Sequence, residues 1–441
     1  GDALTTSSYN TAGGYSSLGA TTTGANNTGL GYNALGTNTT ASNNVAVGHQ
    51  ALSANTTGTS NVAVGTYALD ANTTASNNTA LGYQALTTNT TGTSNTAVGQ
   101  AALSSNATGG SNTAVGRQAL LANTGSSNTA VGYQSLYANT TGVQNVAIGK
   151  SALSSNTTAN NNLAVGTNAL LANTTGTQNV ALGINALDAN TTANSNVAVG
   201  YRALSGNTLG SRNTAVGENT FAAFNVTSAA NTYNTALGYS AGADVTTGIF
   251  NTFIGGLAGD ANTTASYNTA VGGSALTANT TGAANVAVGH GALEANTTAS
   301  HNTAVGKNAL AANTTGANNI SLGHTALSSN TTGSDNVGVG YQALTANTTG
   351  VRLTGIGTQA LANNTTGSDN QGFGWYALGS NTTGSYNTAV GRSALHSNTT
   401  AGTNTALGYQ SLYANTTGVG NTAVGERALD SNTTASYNIA I

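Results

Sequence analysis

The chain restarts every 17 residues. From Asn10 the phrase begins again at Asn27, Asn44, Asn61, Asn78, Asn95 and Asn112, passes a shortened copy that restarts at Asn128, and continues to Asn213. A longer copy then restarts at Asn234, and the beat resumes through Asn251 and Asn268 to Asn438; only the restart at Leu353 lacks the Asn. This gives 25 copies and a stub. A fixed period decides architecture before local propensity does, because each copy must be one unit stacked on the next. Positions are numbered 1 to 17 from the Asn, so that "NTALGYQALTTNTTGTS" at 78–94 is one copy.

Each position has a physical character. Position 5 is Gly in all 25 copies, including Gly31, Gly82 and Gly408. Such strictness means a positive φ, or a neighbouring segment too close for a side chain. Position 4 is Val, Leu, Ile or Phe in every copy but the first, position 3 is mostly Ala, and position 2 is mostly Thr or Val. This is strand composition, with positions 2 and 4 on one face and positions 3 and 5 on the other. A second apolar pair follows at positions 8 and 9, as in Ala85-Leu86, and stretches such as "ANTTGTS" are turn chemistry.

The expected fold is therefore all-β, a parallel β-solenoid (β-roll) of about 25 coils of 17 residues. A strand-plus-helix coil of the leucine-rich kind needs roughly 20–29 residues. Its helix would be flanked by Gly and Asn-Thr-Thr, which are poor helix formers. Disorder fits the content of Gly, Asn, Ser and Thr, but disordered tracts do not hold Val/Leu and Gly in fixed phase. At a coil spacing of about 4.8 Å, such a solenoid would be a rod on the order of 120 Å long. Stacking in register makes ladders. Asn78 and Asn89 would stand in side-chain amide ladders at turns, Thr90 and Thr91 in hydroxyl ladders, and Leu86 in an internal stripe, over a thin core of Ala, Val and Leu.

Composition excludes several functions. Only 4% of the residues are charged and the formal net charge is −3 over 441 residues, so no basic cluster marks a nucleic-acid surface. No stretch nears the roughly 18–20 apolar residues of a membrane-spanning helix, so membrane insertion is not expected. Cys is absent, which removes disulfides and thiol chemistry. The chain also lacks Met and ends a few residues into another copy, and neither end carries a cap. The expected organisation is a single repetitive rod over 1–441, processed or excised from a longer chain.

"SNVAVG" at 60–65 and "SNTAVG" at 94–99 resemble the "NSVAIG" head repeat of trimeric autotransporter adhesins. Phrases close to "NTAVGYQAL…NTTG" are similar to repeats in bacteriophage tail-fibre proteins and in bacterial surface fibre proteins. The resemblance implies a left-handed parallel β-roll, often with three chains packed side by side, on a cell surface or virion. This chain departs from the adhesin pattern by a longer coil, the extra residues falling in the "ANTTG" turn, so a single chain could close its own core. The small residues at positions 3 and 5 suggest association of their own: a smooth face permits close packing of a second backbone. The simpler alternative is that the Ala fills a narrow interior.

Chemistry-bearing residues follow the repeat. His49, Arg117, Lys150, Arg202, His290, Lys307, His324 and Arg392 occupy positions 6 or 7, and Asp70, Asp188, Glu294 and Asp430 occupy position 10, where the copies vary most. Variable and charged positions are solvent-facing, so neither a catalytic group nor an enzyme is expected, and no cofactor. Calcium fits poorly because the Asp-bearing nonapeptide of calcium-loaded rolls is absent. Aromatics recur at position 6 in Tyr32, Tyr83, Tyr133, Tyr201, Tyr341, Trp375 and Tyr409. They are candidate surface contacts for a cell-surface glycan or another partner; covering the adjacent Gly corner is their plainer role. The "NTT" triplets match the N-glycosylation pattern, although the ladder needs Asn there anyway. Thr pairs such as Thr57-Thr59 and Thr91-Thr93 supply ice-binding spacing in some coils, and "TAS", "TGS" and "TGA" break it in others.

One region breaks the rhythm. Between Glu218 and Asn262 the position 9 Leu gives way to Phe221, Gly242 and Gly259, and the Asn-Thr-Thr turn is lost twice. A protruding or bent turn is expected around 222–233, with Phe221, Phe224, Phe250 and Phe253 repacking the core. The functional expectation is a structural segment of an extracellular fibre, a tail-fibre shaft or cell-surface filament, self-associating as a homotrimer or filament. The alternative is an adhesin head that binds glycans or a host surface, and an ice-binding solenoid ranks below both.

Overall fold

The computed structural model describes residues 3 to 441. Every regular element among them is a β-strand. Nearly every copy places a three-residue strand at positions 2 to 4, and consecutive strands pair in parallel without slippage: Val62 with Thr79, Ala63 with Ala80, Val64 with Leu81. The chain is thus a parallel β-solenoid of about 25 coils. It falls into two compact units, Gly1–Glu218 with Asn225–Asn231, and Asn219–Phe224 with Thr232–Ile441. In the first, strands succeed one another from Thr11–Gly13 to Thr214–Val216; in the second, from Thr235–Leu237 to Ile439–Ala440.

Hydrogen bonding between coils continues outside the strands. In the 78–94 copy, Thr79 N–H donates to Asn95 O, Gly82 N–H to Val64 O, Gln84 N–H to Thr66 O, Leu86 N–H to Ala102 O, Thr88 N–H to Ser104 O and Thr90 N–H to Ala107 O, at 2.8 to 3.1 Å. Each coil is tied to both neighbours around its perimeter, so a buried backbone of small residues remains satisfied.

Both explanations for the Gly of position 5 hold together. Gly82 has φ +137°, and a Cβ there would lie 2.7 Å from the Gly99 carbonyl oxygen of the next coil. The following residues cannot be helical, because Gln84 and Leu86 have φ +55° and +54°. Two tight turns replace the helix, closed by Ala85 N–H to Gly82 O and Asn89 N–H to Leu86 O, each 3.3 Å. A left-handed non-Gly residue costs about 1–2 kcal/mol. Leu86 is fully buried, which contributes about 1.5–3 kcal/mol. The Leu stripe therefore compensates the turn that positions it.

The core consists of Ala80, Ala85, Leu86 and the two Asn residues Asn78 and Asn89, all 0% exposed. Each position 3 residue faces the position 9 Leu of the preceding coil: a Cβ on Gly338 would lie 3.1 Å from Leu327 Cγ. Opposite a Leu there is room only for a small residue: Ala, Gly or, at Ser321, a Ser whose hydroxyl donates to Ala326 O at 2.8 Å. This corrects two expectations. Ala faces inward, so by strand alternation the Val and Leu of positions 2 and 4 face outward and are not core; Leu81 is 46% exposed. The smooth Ala row lines the interior and offers no outer face for a second chain.

The Asn columns are ladders, but buried ones. At position 12, Asn89 Nδ2 donates to Asn72 Oδ1 at 3.0 Å and to Gly92 O at 2.9 Å. At position 1, Asn78 Nδ2 donates to the same Gly92 O at 3.0 Å, while its Oδ1 accepts the backbone N–H of Asn95 at 2.9 Å. The Thr column also differs from expectation. Position 13 hydroxyls donate to carbonyls of the next coil, as Thr56 Oγ1 does to Thr73 O at 3.0 Å, and do not bond one another. Thr91, at position 14, is exposed, and the position forms no hydroxyl ladder.

The irregular region repacks as expected at three of its four Phe residues. Phe221, Phe224 and Phe253 are fully buried, with Phe221 6.1 Å from each of the other two rings. Phe250 is a correction. It sits at position 17, is 42% exposed, and stacks between Tyr233 and Tyr267 at 5.4 and 5.3 Å. Within 222–233, residues 227 to 231 are exposed, and Ala230–Asn231 pairs in parallel with Gly210–Ser211.

Candidate functional site

Two surfaces emerge once the inward residues are known. The first is the outer face of the strands. Position 2 is Thr, Val, Leu, Ile or, once, Gln; position 4 is Val, Leu, Ile or Phe apart from Gly13; no charged residue occurs at either. Leu30, Leu81, Ile148, Leu182, Leu237, Ile320 and Leu407 are all exposed on it. Large apolar side chains rank along each unit at one coil spacing, which is unusual for a surface that meets only water.

The second is the corner after position 5. The seven position 6 aromatics named above are exposed, from Tyr409 at 37% to Tyr32 and Tyr341 at 49%, and so are Tyr15 and Tyr239 at the same position. Within each unit they stand in a column, but neighbours of other types divide it. Tyr15, Tyr32 and His49 stack at 5.7 and 5.1 Å, and Tyr67 and Tyr83 extend that group edge-on. Arg117 lies 5.8 Å over Tyr133, and Tyr341 stacks on His324. Tyr83, Tyr133 and Tyr341 thus belong to separate clusters.

The richest cluster contains Trp375, the only Trp of the chain. The Arg392 guanidinium carbon lies 4.7 Å over the Trp375 ring and 5.9 Å from that of Tyr409 in the following coil. Sequence reasoning missed a second column beside it. Tyr376 packs edge-on against Trp375 at 4.3 Å, His396 lies 5.7 Å from Tyr376, and Tyr413 stacks on His396 at 5.2 Å. The usable signal was that His396 and Tyr413 are 17 residues apart at position 10. Burial holds the His396 imidazole below its ordinary pKa, and its Nδ1 is buried without a partner. Beyond Tyr413 lies a shallow depression of about 470 Å³ lined by Gln410, Tyr413, Ala414, Arg427, Asp430 and Ser431.

Ionisable groups elsewhere are dispersed. Burial raises the carboxyls of Asp188 and Asp260 from their ordinary values. Arg352 and Asp369, in the position 17 column, form a bidentate pair at 2.6 and 2.8 Å; the Arg352 hydrogen bond holds the Asp369 carboxyl below its usual range. Among the described residues no three His, Asp or Glu side chains come together as metal ligands. Asn89, in one of the "NTT" triplets, donates both amide hydrogens inside the core, so a coil folded in this way withholds that nitrogen from glycosylation. No protein-family model matches the chain, and no curated protein is similar to it.

Proposed function

We propose that this chain is a structural segment of an extracellular fibre, on a cell surface or virion, whose copies associate side by side through the outer strand face. The observation that carries the reading is the charge-free row of Val, Leu, Ile and Thr at positions 2 and 4, over coils bonded to one another around their perimeter. A partner matching that row along many coils needs the same axial repeat, and a second copy of this chain has it. Burial of such a face contributes about 25 cal/mol per Å². Solenoid stability also accumulates coil by coil, which suits a shaft.

Sedimentation and negative-stain imaging test this. Wild-type protein is expected as multi-chain rods, and Leu81→Lys with Leu182→Lys as narrower single-chain particles of unchanged circular dichroism. A wild-type monomer at all concentrations would overturn the association. A second reading, an adhesin that binds glycans, is favoured by the aromatic cluster around Trp375.

A further inference from the structure

We infer that Trp375, Arg392 and Tyr409, flanked by Tyr376, His396 and Tyr413, form a binding site for an acidic saccharide, with Arg392 as the carboxylate-binding group. The inference rests on the binding reading and is independent of side-by-side association.

Arg392 is exposed, and its guanidinium carbon lies 4.7 Å from the centre of the Trp375 ring and 5.9 Å from that of Tyr409. Contact with aromatic rings leaves the N–H donors unspent on oxygen, and the guanidinium fork suits bidentate pairing with a carboxylate. No protein carboxylate takes that place: the ion pair among the described residues is Arg352–Asp369, two coils away on the position 17 column. Arg427, by comparison, spends its Nε–H on Gln410 Oε1 at 3.2 Å. Arg392 is thus a ring-supported cation with unspent donors.

The surroundings select among anions. Trp375 and Tyr409 are exposed beside the guanidinium, and Tyr413 is 36% exposed beyond them. Exposed aromatic rings next to hydrogen-bonding groups suit a ligand with an apolar face and a polar rim, and a pyranose ring presents both. An acidic peptide would use the charge of Arg392 but has less use for three exposed rings. His396 is held between Tyr376 and Tyr413 and kept neutral by burial. It fixes the second column and adds no competing charge.

The single Trp makes the test direct, since fluorescence excited beyond the absorption of the 17 Tyr residues reads Trp375 alone. The full chain is titrated with tetragalacturonate, with a sialyl-trisaccharide, with neutral maltotetraose and with a short polyglutamate, following Trp375 emission and heat. Saturable binding of at least one acidic saccharide is expected, with no response to maltotetraose. Arg392→Lys keeps the charge and should weaken binding about tenfold by losing the fork; Arg392→Gln should abolish it, with circular dichroism unchanged. Absence of binding by both acidic saccharides overturns the inference, as does equal affinity in Arg392→Gln. Equal affinity for polyglutamate would mark an anion patch without sugar recognition. Maltotetraose binding that survives Arg392→Gln would leave glycan binding standing and remove this site from it.

Discussion

The coil from Asn78 to Ser94 and the coils around Phe253 solve the same packing problem with opposite materials. In the regular coil, position 3 is Ala, position 9 is Leu and position 12 is an Asn whose amide is hydrogen-bonded above and below. Around Phe253, position 3 is Phe, position 9 is Gly242 in the coil before and Gly259 in its own, and position 12 is Phe224 and then Val245. A Cβ on Gly242 or Gly259 would fall within 2.8 Å of the Phe253 ring. Both glycines keep the left-handed conformation of the Leu they replace, with φ +60° and +57°, and Val245 N–H still closes its turn onto Gly242 O at 3.1 Å. The backbone path is therefore conserved while the interior is exchanged. The constraint lies in the summed volume of positions 3 and 9, and in satisfying or removing every polar group at position 12.

Phe253→Ala should give the largest effect, destabilising its unit by about 3–5 kcal/mol in denaturant unfolding because Gly242 and Gly259 cannot refill the space. Adding Gly259→Leu should recover part of the loss, whereas Gly259→Leu alone should destabilise by driving a side chain into the ring. A coupling of about 1–3 kcal/mol in that double-mutant cycle is expected; strict additivity would sink the shared-volume account. Asn89→Ala, in the regular coil, should cost about 1–3 kcal/mol by leaving Asn72 Oδ1 buried without a partner and Asn106 Nδ2 with only its bond to Gly109 O, read as faster hydrogen exchange in the adjoining coils.

Leu353 offers the opposite sign. It is buried at position 1 and cannot supply the oxygen that Asn78 gives to Asn95 N–H. Leu353→Asn should therefore stabilise by about 1 kcal/mol, and a lower melting temperature would show that its packing matters more than the ladder. The smallest effect concerns pH. The folded pKa of His396 lies below the unfolded value, so the unfolded chain takes up the proton first. Stability is whole above the ordinary histidine range and falls as pH drops through that range toward the folded pKa. His396→Phe should flatten that slope; an unchanged profile would assign it to other groups.

Much of this fold was legible because periodicity reports which residues are equivalent. The Gly of position 5, the Leu stripe, the Asn columns and the buried Phe221, Phe224 and Phe253 all follow from equivalence plus residue chemistry. What periodicity withholds is direction. Alternation groups Thr79 with Leu81 and sets Ala80 apart, but which set points inward depends on Leu69 of the preceding coil, a contact that spacing within the strand does not encode. The outer apolar face was missed for that reason. Phe250 was misplaced because composition suggested core, although its position 17 neighbours Tyr233 and Tyr267 already marked an external column. At the Trp375 cluster the position 6 members were legible from spacing. Tyr376, His396 and Tyr413 come from positions 7 and 10, which meet only through the two tight turns.

The amide columns have a direction. Asn89 donates to Asn72 and Asn106 donates to Asn89, each from the later coil to the earlier, and the backbone N–H of Asn95 reaches back to Asn78 in the same sense. Aligned amide dipoles add, as they do along an α-helix, where the sum gives partial charges at the two ends. Each unit is in this respect an electrically polar column, donor-terminated towards its first coil and acceptor-terminated towards its last. Any regular coil's upper surface complements any other regular coil's lower surface and never its own kind, so regular coils can be added or deleted whole while a reversed coil would set donor against donor.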